Sequence, residues 1–105
     1  MLFQTSKFDA GDIVSLKLIN GEELIGKFVS EDMVEMVLAK PVMLAITKNG
    51  PAMAPVMMTV DPDREYAVSK TAIMFKGPTV KEIADQYTYQ TTGIQPVSAG
   101  SIVTG

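Results

Sequence analysis

Few side chains in this sequence could carry out acid–base, nucleophilic or metal chemistry. Histidine and cysteine are both absent from the 105 residues, which removes the commonest general base, the thiol nucleophile and the commonest metal ligands. Carboxylates stand in adjacent pairs at 22–23 and 31–32 and alternate at Asp61, Asp63 and Glu65, without the glycine and terminal glutamate of a calcium-binding EF-hand loop. Such carboxylates are ordinarily solvent-exposed. We therefore expect a protein that is not an enzyme and needs no cofactor and no metal.

The composition narrows the classes of protein to which this chain could belong. Hydrophobic residues make up 47% of the chain, eight of them methionine, and the formal net charge is −3. No apolar run reaches the roughly 20 residues that span a bilayer, and the N-terminus lacks the basic and apolar regions of a secretory signal. We expect a cytoplasmic protein with no membrane partner. The acidic balance argues against avid nucleic-acid binding by a single chain, although a ring could gather a few lysines around one pore.

The first half of the chain has the alternation of β-strands. Residues 12–19 alternate apolar and polar side chains, and Asn20-Gly21 is the strongest short signal for a hairpin turn. The return strand, 22–30, contains Gly26, which we interpret as the point where the strand bends to close a small barrel. A third strand, 34–47, contains Pro41, which cannot donate to a ladder and so predicts an edge or a bulge.

The second half predicts two more strands, at 54–60 and 66–75. After them, Thr79 and Glu82 fit a capping box at the start of a short amphipathic helix over 78–90.

The predicted fold is all-β: a five-stranded, strongly bent open barrel over 12–76, of the SH3-type small-barrel class, followed by the short C-terminal helix. Residues 1–11 are interpreted as an N-terminal arm, and residues 91–105, rich in Thr, Gly and Ser, as a flexible tail.

Apolar side chains also fall on the outer faces of the predicted strands, which suggests that a second surface is buried. They are Ile13, Ile19, Ile25, Val29, Val37 and Met57. An open barrel has two edge strands with unpaired backbone groups. Pairing such edges around a rotation axis closes a ring and leaves no edge exposed. The sequence therefore predicts that the main partner of the chain is itself, in a homo-oligomeric ring.

Residues 14–28, VSLKLINGEELIGKF, resemble the first signature of the Sm-like family, which comprises the Sm, LSm and Hfq proteins. The shared pattern is a strand, an Asn-Gly hairpin, a leucine (Leu24) three residues after the turn glycine, and the bend glycine (Gly26) two residues further on. Asp32 matches the aspartate of the family's strand 2–3 loop. The resemblance implies an Sm-like fold and a ring of about five to seven subunits.

The second signature of the family can be placed in three ways. Residues 68–73, VSKTAI, resemble the Tyr-Lys-His-Ala-Ile stretch of Hfq and put Lys70 and Thr71 on its Lys-His pair. Residues 74–77, MFKG, resemble the Ile-Arg-Gly stretch of Sm proteins. Counting strands instead puts the turn at 61–65 in the equivalent loop. The three registers stay open, because the region between Pro41 and Tyr66 is longer than the family usually has.

The family binds single-stranded, often uridine-rich RNA, by stacking bases on the strand 2–3 loop and by polar contacts from the second signature. By resemblance, the candidate RNA-binding residues are Asp32, Met33, Lys70 and Thr71. The stacking platform is poor, because Met33 and Val34 replace glutamine and phenylalanine and Thr71 replaces histidine. Asp32 also has a purely structural interpretation, as a turn residue that accepts backbone N–H groups.

Two functions therefore stay open. One is a ring that binds single-stranded RNA without catalysis. The other is a ring-shaped structural or protein-interaction scaffold that has lost RNA recognition.

Overall fold

Six antiparallel strands and one helix form the part of the chain that the computed structural model describes, residues 8–93. In chain order they are β1 (Ile13–Leu18), β2 (Glu23–Glu31), β3 (Glu35–Thr47), β4 (Gly50–Pro55), β5 (Glu65–Ser69), β6 (Ile73–Pro78) and α1 (Lys81–Thr92). A 3-10 turn, Lys70–Ala72, joins β5 to β6. The sheet has the order β4-β3-β2-β1-β6, and β5 pairs with the first half of β3. Within residues 8–93, no helix has the length and apolar character needed to cross a bilayer.

The predicted fold class, a strongly bent, open, antiparallel sheet followed by a short C-terminal helix, is confirmed. Two of the five predicted strands need correction. The strand predicted at 54–60 is β4, at Gly50–Pro55, because β3 continues to Thr47 and a tight turn pairs Thr47 directly with Gly50. The strand predicted at 66–75 is divided by the 3-10 turn into β5 and β6, which gives six strands. Residues 1–7 of the predicted arm and 94–105 of the predicted tail lie outside the described part.

The sheet bends where Gly26 faces a bulge in β3. A Cβ at Gly26 would lie 2.9 Å from the Cβ and 3.0 Å from the Cδ1 of Leu38, so the close approach of β2 to β3 requires a residue without a side chain. Opposite Gly26, β3 places two residues, Lys40 and Pro41, against one, and Lys40 has a φ of 50°. The glycine and the proline that the sequence marked as bend and bulge thus lie at one point of the sheet.

One face of the sheet carries the hydrophobic core. Its six buried members are Val14, Leu16, Leu24, Phe28, Met36 and Leu38, contributed by β1, β2 and β3. Val68 of β5 and Ile73 of β6 pack against this cluster, as does Phe8, whose ring centroid is 5.6 Å from that of Phe28. The core therefore joins both strands that flank the 3-10 turn to the bent centre of the sheet.

Tyr87 attaches helix α1 to the sheet at the bulge in β3. The Tyr87 side chain is 1% exposed, and its hydroxyl donates toward the carbonyl oxygens of Ala39 (3.0 Å) and Lys40 (2.8 Å), inside the bulge. Burial raises the pKa of Tyr87 to about 12, so the hydroxyl keeps its proton at neutral pH. The Tyr87 hydroxyl thus ties the helix to the backbone of β3 beside the bend.

The predicted capping box at the start of this helix is wrong. The helix begins after Val80, whose side chain makes no capping hydrogen bond. Thr79 instead continues the pairing of β6 with β1, since its backbone N–H donates to the Ile13 carbonyl at 3.1 Å. Its hydroxyl lies 2.6 Å from the Ser15 hydroxyl. Because these bonds engage Thr79 with β1, it does not act as the N-cap of the helix.

Replacing Tyr87 with phenylalanine is expected to lower the free energy of unfolding by about 1 to 2 kcal/mol, because two bulge carbonyls lose their donor. Tyr89→Phe on the same helix is the matched control, since Tyr89 is 52% exposed and should change stability by less than about 0.5 kcal/mol. Urea unfolding followed by circular dichroism measures both. Equal midpoints for the two variants would show that Tyr87 does not hold the helix to the bulge.

Candidate nucleic-acid interface

The turn between β2 and β3 and the 3-10 turn between β5 and β6 lie side by side. The Lys70 backbone N–H donates to the carbonyl oxygen of Val34 at 2.8 Å, and the pairing of Ser69 with Glu35 brings the ends of β5 and β3 together. We refer to Asp32, Met33, Val34, Lys70 and Thr71 as the loop site. The structure therefore brings together all four residues that the sequence selected, although 37 positions of sequence separate Met33 from Lys70.

Asp32 shapes the β2–β3 turn. Its Oδ1 accepts hydrogen bonds from the backbone N–H groups of Val34 (2.8 Å) and Glu35 (2.9 Å). The bond from the Glu35 N–H, and after it the bond from the Val34 N–H, hold the pKa of the Asp32 carboxyl below its usual value. The geometry agrees with the structural interpretation of Asp32, because one carboxylate oxygen already serves the turn. Asp32 thus fixes the shape of the turn that carries Met33.

Met33 and Val34 form an exposed apolar tip on this turn. The Met33 side chain is 85% exposed, and Val34 is also exposed. Neither residue offers an aromatic face, so a base lying on the turn would meet a thioether and an isopropyl group. Next to this tip, the Thr71 hydroxyl lies 2.9 Å from that of Ser69, whose oxygen also accepts the Thr71 backbone N–H. The loop site thus combines an aliphatic tip with one hydroxyl pair and one ammonium group.

Lys70 is held by a carboxylate that the sequence did not single out. The Lys70 Nζ lies 2.8 Å from Oε1 of Glu31, at the end of β2, and the Nζ of Lys76 on β6 lies 3.3 Å from the same oxygen. The Glu31 side chain is only 7% exposed. We call Glu31, Lys70 and Lys76 the charge cluster. It adjoins the loop site and spans three separate elements of the sheet.

The three possible registers of the second signature have different positions in space. Lys70 contacts the β2–β3 turn, Thr71 follows it in the 3-10 turn, and residues 74–77 lie along β6. The turn at 61–65 lies at the opposite end of β5, where the Lys40 backbone N–H donates to the Arg64 carbonyl. In that turn the Asp61 carboxylate accepts the Asp63 N–H and pairs with Arg64. The described residues contain no cluster of three or more acidic side chains placed to hold a metal ion. Two registers therefore place a lysine at this end of the sheet, Lys70 at the β2–β3 turn and Lys76 at Glu31, and the turn at 61–65 does not.

Comparison with known proteins finds a likeness among solved structures. No family model matches this sequence, and no curated protein matches it. Among solved structures, the chain is similar to a heptameric archaeal Sm protein, with 20% sequence identity over 67% of this chain and 88% of that chain, and a TM-score of 0.47.

The β1–β2 hairpin, the bend at Gly26 and the bulge at Pro41 that the sequence predicted are present in the structure, and a 3-10 turn separates the last two strands.

The sequence missed Glu31 for an identifiable reason. Strict alternation from Phe28 would turn Ser30 toward the core and Glu31 toward solvent. The register between β2 and β3 shifts between Phe28 and Ser30, because Val29 has no partner on β3. This bulge exposes Ser30 and turns Glu31 inward, toward Lys70 and Lys76. A one-residue bulge leaves no signature in the sequence, so alternation alone could not find the charge cluster.

Proposed function

We propose that this chain forms a cytoplasmic, Sm-like homo-oligomeric ring of about five to seven copies that binds single-stranded RNA at the loop site and is not an enzyme. One observation carries this proposal: the loop site lies at the 3-10 turn that joins β5 and β6, two edge strands that each pair on one side only. A ring built through those edges would place one loop site beside every contact between subunits. It would repeat that site around a common axis.

Pairing of β5 with β6 of the next copy is supported by the chemistry of the edges. Among the described strands, β4, β5 and β6 each pair on one side only. Pro51 and Pro55 lie in β4 and cannot donate to a further strand. In contrast, β5 contains no proline, and β6 has one only at its last residue. β6 also exposes Met74 and Phe75, and an apolar pair on an open edge favours its burial against another chain.

Recognition of RNA at the loop site would rest on the contacts available there. The Lys70 ammonium group can approach a phosphate, the Thr71 hydroxyl can donate or accept a hydrogen bond, and the Met33 thioether can lie against a base. Each of these contacts is weak alone. Repetition around a ring multiplies them along one strand of RNA, because binding at one subunit raises the effective concentration at the next.

The charge cluster favours a second candidate function, a ring-shaped scaffold for protein interactions. Lys70 is engaged by Glu31 at 2.8 Å, and the net charge of −3 per chain grows with every added copy. An RNA strand would approach a negatively charged assembly whose site lysines are already paired. The exposed Met33 and Val34 would then be contacts for a protein instead of a base.

Titration of the ring with fluorescently labelled oligo-uridine and oligo-adenine at two salt concentrations separates the two functions. We expect micromolar binding that weakens with salt, and a further loss of about three- to tenfold for Lys70→Ala, since Glu31 would then repel the backbone. Lys48→Ala, in the exposed β3–β4 turn, removes the same charge away from the site and should bind nearly as the unaltered ring does. An intact ring that binds neither oligonucleotide at low salt would leave only the scaffold.

A further inference from the structure

The charge cluster contains more positive than negative charge, yet it offers little of that charge to a ligand. A single, nearly buried carboxylate oxygen, Oε1 of Glu31, contacts both ammonium groups, at 2.8 Å for Lys70 and 3.3 Å for Lys76. The three side chains come from β2, the 3-10 turn and β6. The Lys70 and Lys76 side chains are 23% and 40% exposed. Both lysine side chains are therefore partly exposed, while the carboxylate that holds them is nearly buried.

This geometry resembles an anion site in which the protein supplies the anion. A phosphate group has several oxygens and could bridge two ammonium groups that share one partner. To do so it must compete with Glu31, whose carboxylate is tethered and already desolvated. Each lysine that pairs with a phosphate also releases a condensed counterion from RNA, whereas a lysine that stays with Glu31 releases none.

We propose that Glu31 is an internal competitor that sets how strongly the loop site holds a phosphodiester backbone. This inference rests on the proposed binding of single-stranded RNA and assigns Lys76, as well as Lys70, to the same phosphate-binding pair. Glu31 limits the affinity of each subunit, so that only a strand spanning several subunits is retained. A change of Glu31 to a neutral residue frees both lysines for phosphate.

Glu31→Gln is the direct test, because glutamine keeps the shape of the side chain and can still accept one hydrogen bond. Oligo-uridine binding to the Glu31→Gln ring should be about tenfold tighter than to the unaltered ring in low salt. The slope of log affinity against log salt concentration should become more negative by about 0.7 for each freed lysine that pairs with a phosphate of the RNA strand. Inorganic polyphosphate of similar charge, as a second probe, shows whether the gain comes from phosphate alone or requires bases.

Glu35→Gln is the matched control for net charge. Glu35 follows the same turn and makes no ion pair within the described residues, so its loss should change affinity less than twofold and leave the salt slope unchanged. Adding Lys76→Ala to the Glu31→Gln variant should remove most of the gain. If Glu31→Gln does not assemble, Glu31→Met, which is neutral and of similar length, takes its place.

The outcomes separate this inference from the proposed function. Where both rings bind RNA, tighter binding and a steeper slope for Glu31→Gln support the inference. Where the unaltered ring binds none, binding gained by Glu31→Gln supports competition by Glu31 while the proposed function fails. Equal binding by Glu31→Gln and the unaltered ring overturns the inference while leaving the proposed function in place. An equal gain with Glu35→Gln also overturns it, since the effect would then be one of overall charge. Absence of binding by every variant removes both.

Discussion

A Gly26→Ala variant is expected to lose about 1 to 3 kcal/mol of unfolding free energy, one of the largest single-residue effects that the structure predicts. The added Cβ would lie 2.9 Å from the Cβ of Leu38, an atom fixed directly to the backbone of a fully buried residue. Relief therefore requires β2 and β3 to separate at the bend. With stabilities of about 5 to 15 kcal/mol for domains of this kind, such a loss is easily measured by thermal or urea unfolding.

Gly77→Ala provides the matched control for this effect. Gly77 also lies in a strand, but a Cβ there would meet no atom within 4 Å, and its backbone does not have a positive φ. Its replacement should be neutral or slightly stabilising, because alanine restricts the unfolded chain. Equal unfolding midpoints for Gly26→Ala and the unaltered protein would contradict the tight contact at the bend.

Phe75→Glu is expected to convert the proposed ring to monomers at micromolar concentration. Phe75 lies on the open edge strand β6 and is 74% exposed in the single chain. An unpaired carboxylate buried at that edge costs about 3 kcal/mol or more, which weakens each contact between subunits by a factor of roughly 100. The fold of the subunit should be unchanged, because Phe75 is not a member of the core cluster.

Ile46→Glu tests whether this effect depends on position. Ile46 is 79% exposed and lies on β3, which pairs there with β4 and is not an open edge on that side. The same charge at Ile46 should leave the assembly intact in sedimentation experiments. Dissociation by both variants would show that the ring responds to charge in general, and dissociation by Ile46→Glu alone would place the subunit contact on the β3–β4 hairpin.

The central bend of the sheet could be predicted from local sequence, because its causes are local. Asn20-Gly21 ends β1 with a turn, Gly26 lacks the side chain that would strike Leu38, and Pro41 lies in the bulge. Each of these residues has few conformational alternatives, so its type alone limits the backbone. The acidic turn at Asp32 belongs to the same class, since its carboxylate satisfies the neighbouring backbone N–H groups.

The elements that the sequence placed wrongly depend on partners distant in the chain. β4 contains two prolines, two alanines and a glycine, residues that favour turns or helices, and it is a strand because β3 pairs with it. Thr79 has the residue type of an N-cap, yet bonds to Ile13 and Ser15 of β1 hold it in the sheet. Propensity is a weak prior where a long-range ladder decides.

Only part of the candidate site could be predicted, because its remaining residues also depend on long-range strand pairing. Asp32, Met33, Lys70 and Thr71 come from two turns whose residues match a known pattern, and the structure places those turns in contact. Glu31 and Lys76 were missed, because the bulge at Val29 decides which way Glu31 faces. The property that controls the charge of the site therefore lies in the sheet register, which no single residue type reveals.

Sedimentation equilibrium of the unaltered chain tests the central claim, that the edges of β5 and β6 close on copies of the same chain. We expect one species with a mass of about five to seven chains, unchanged as the protein is diluted to low micromolar concentration. A species with the mass of a single chain under the same conditions would contradict the ring, and with it the repeated loop site on which the proposed RNA binding depends.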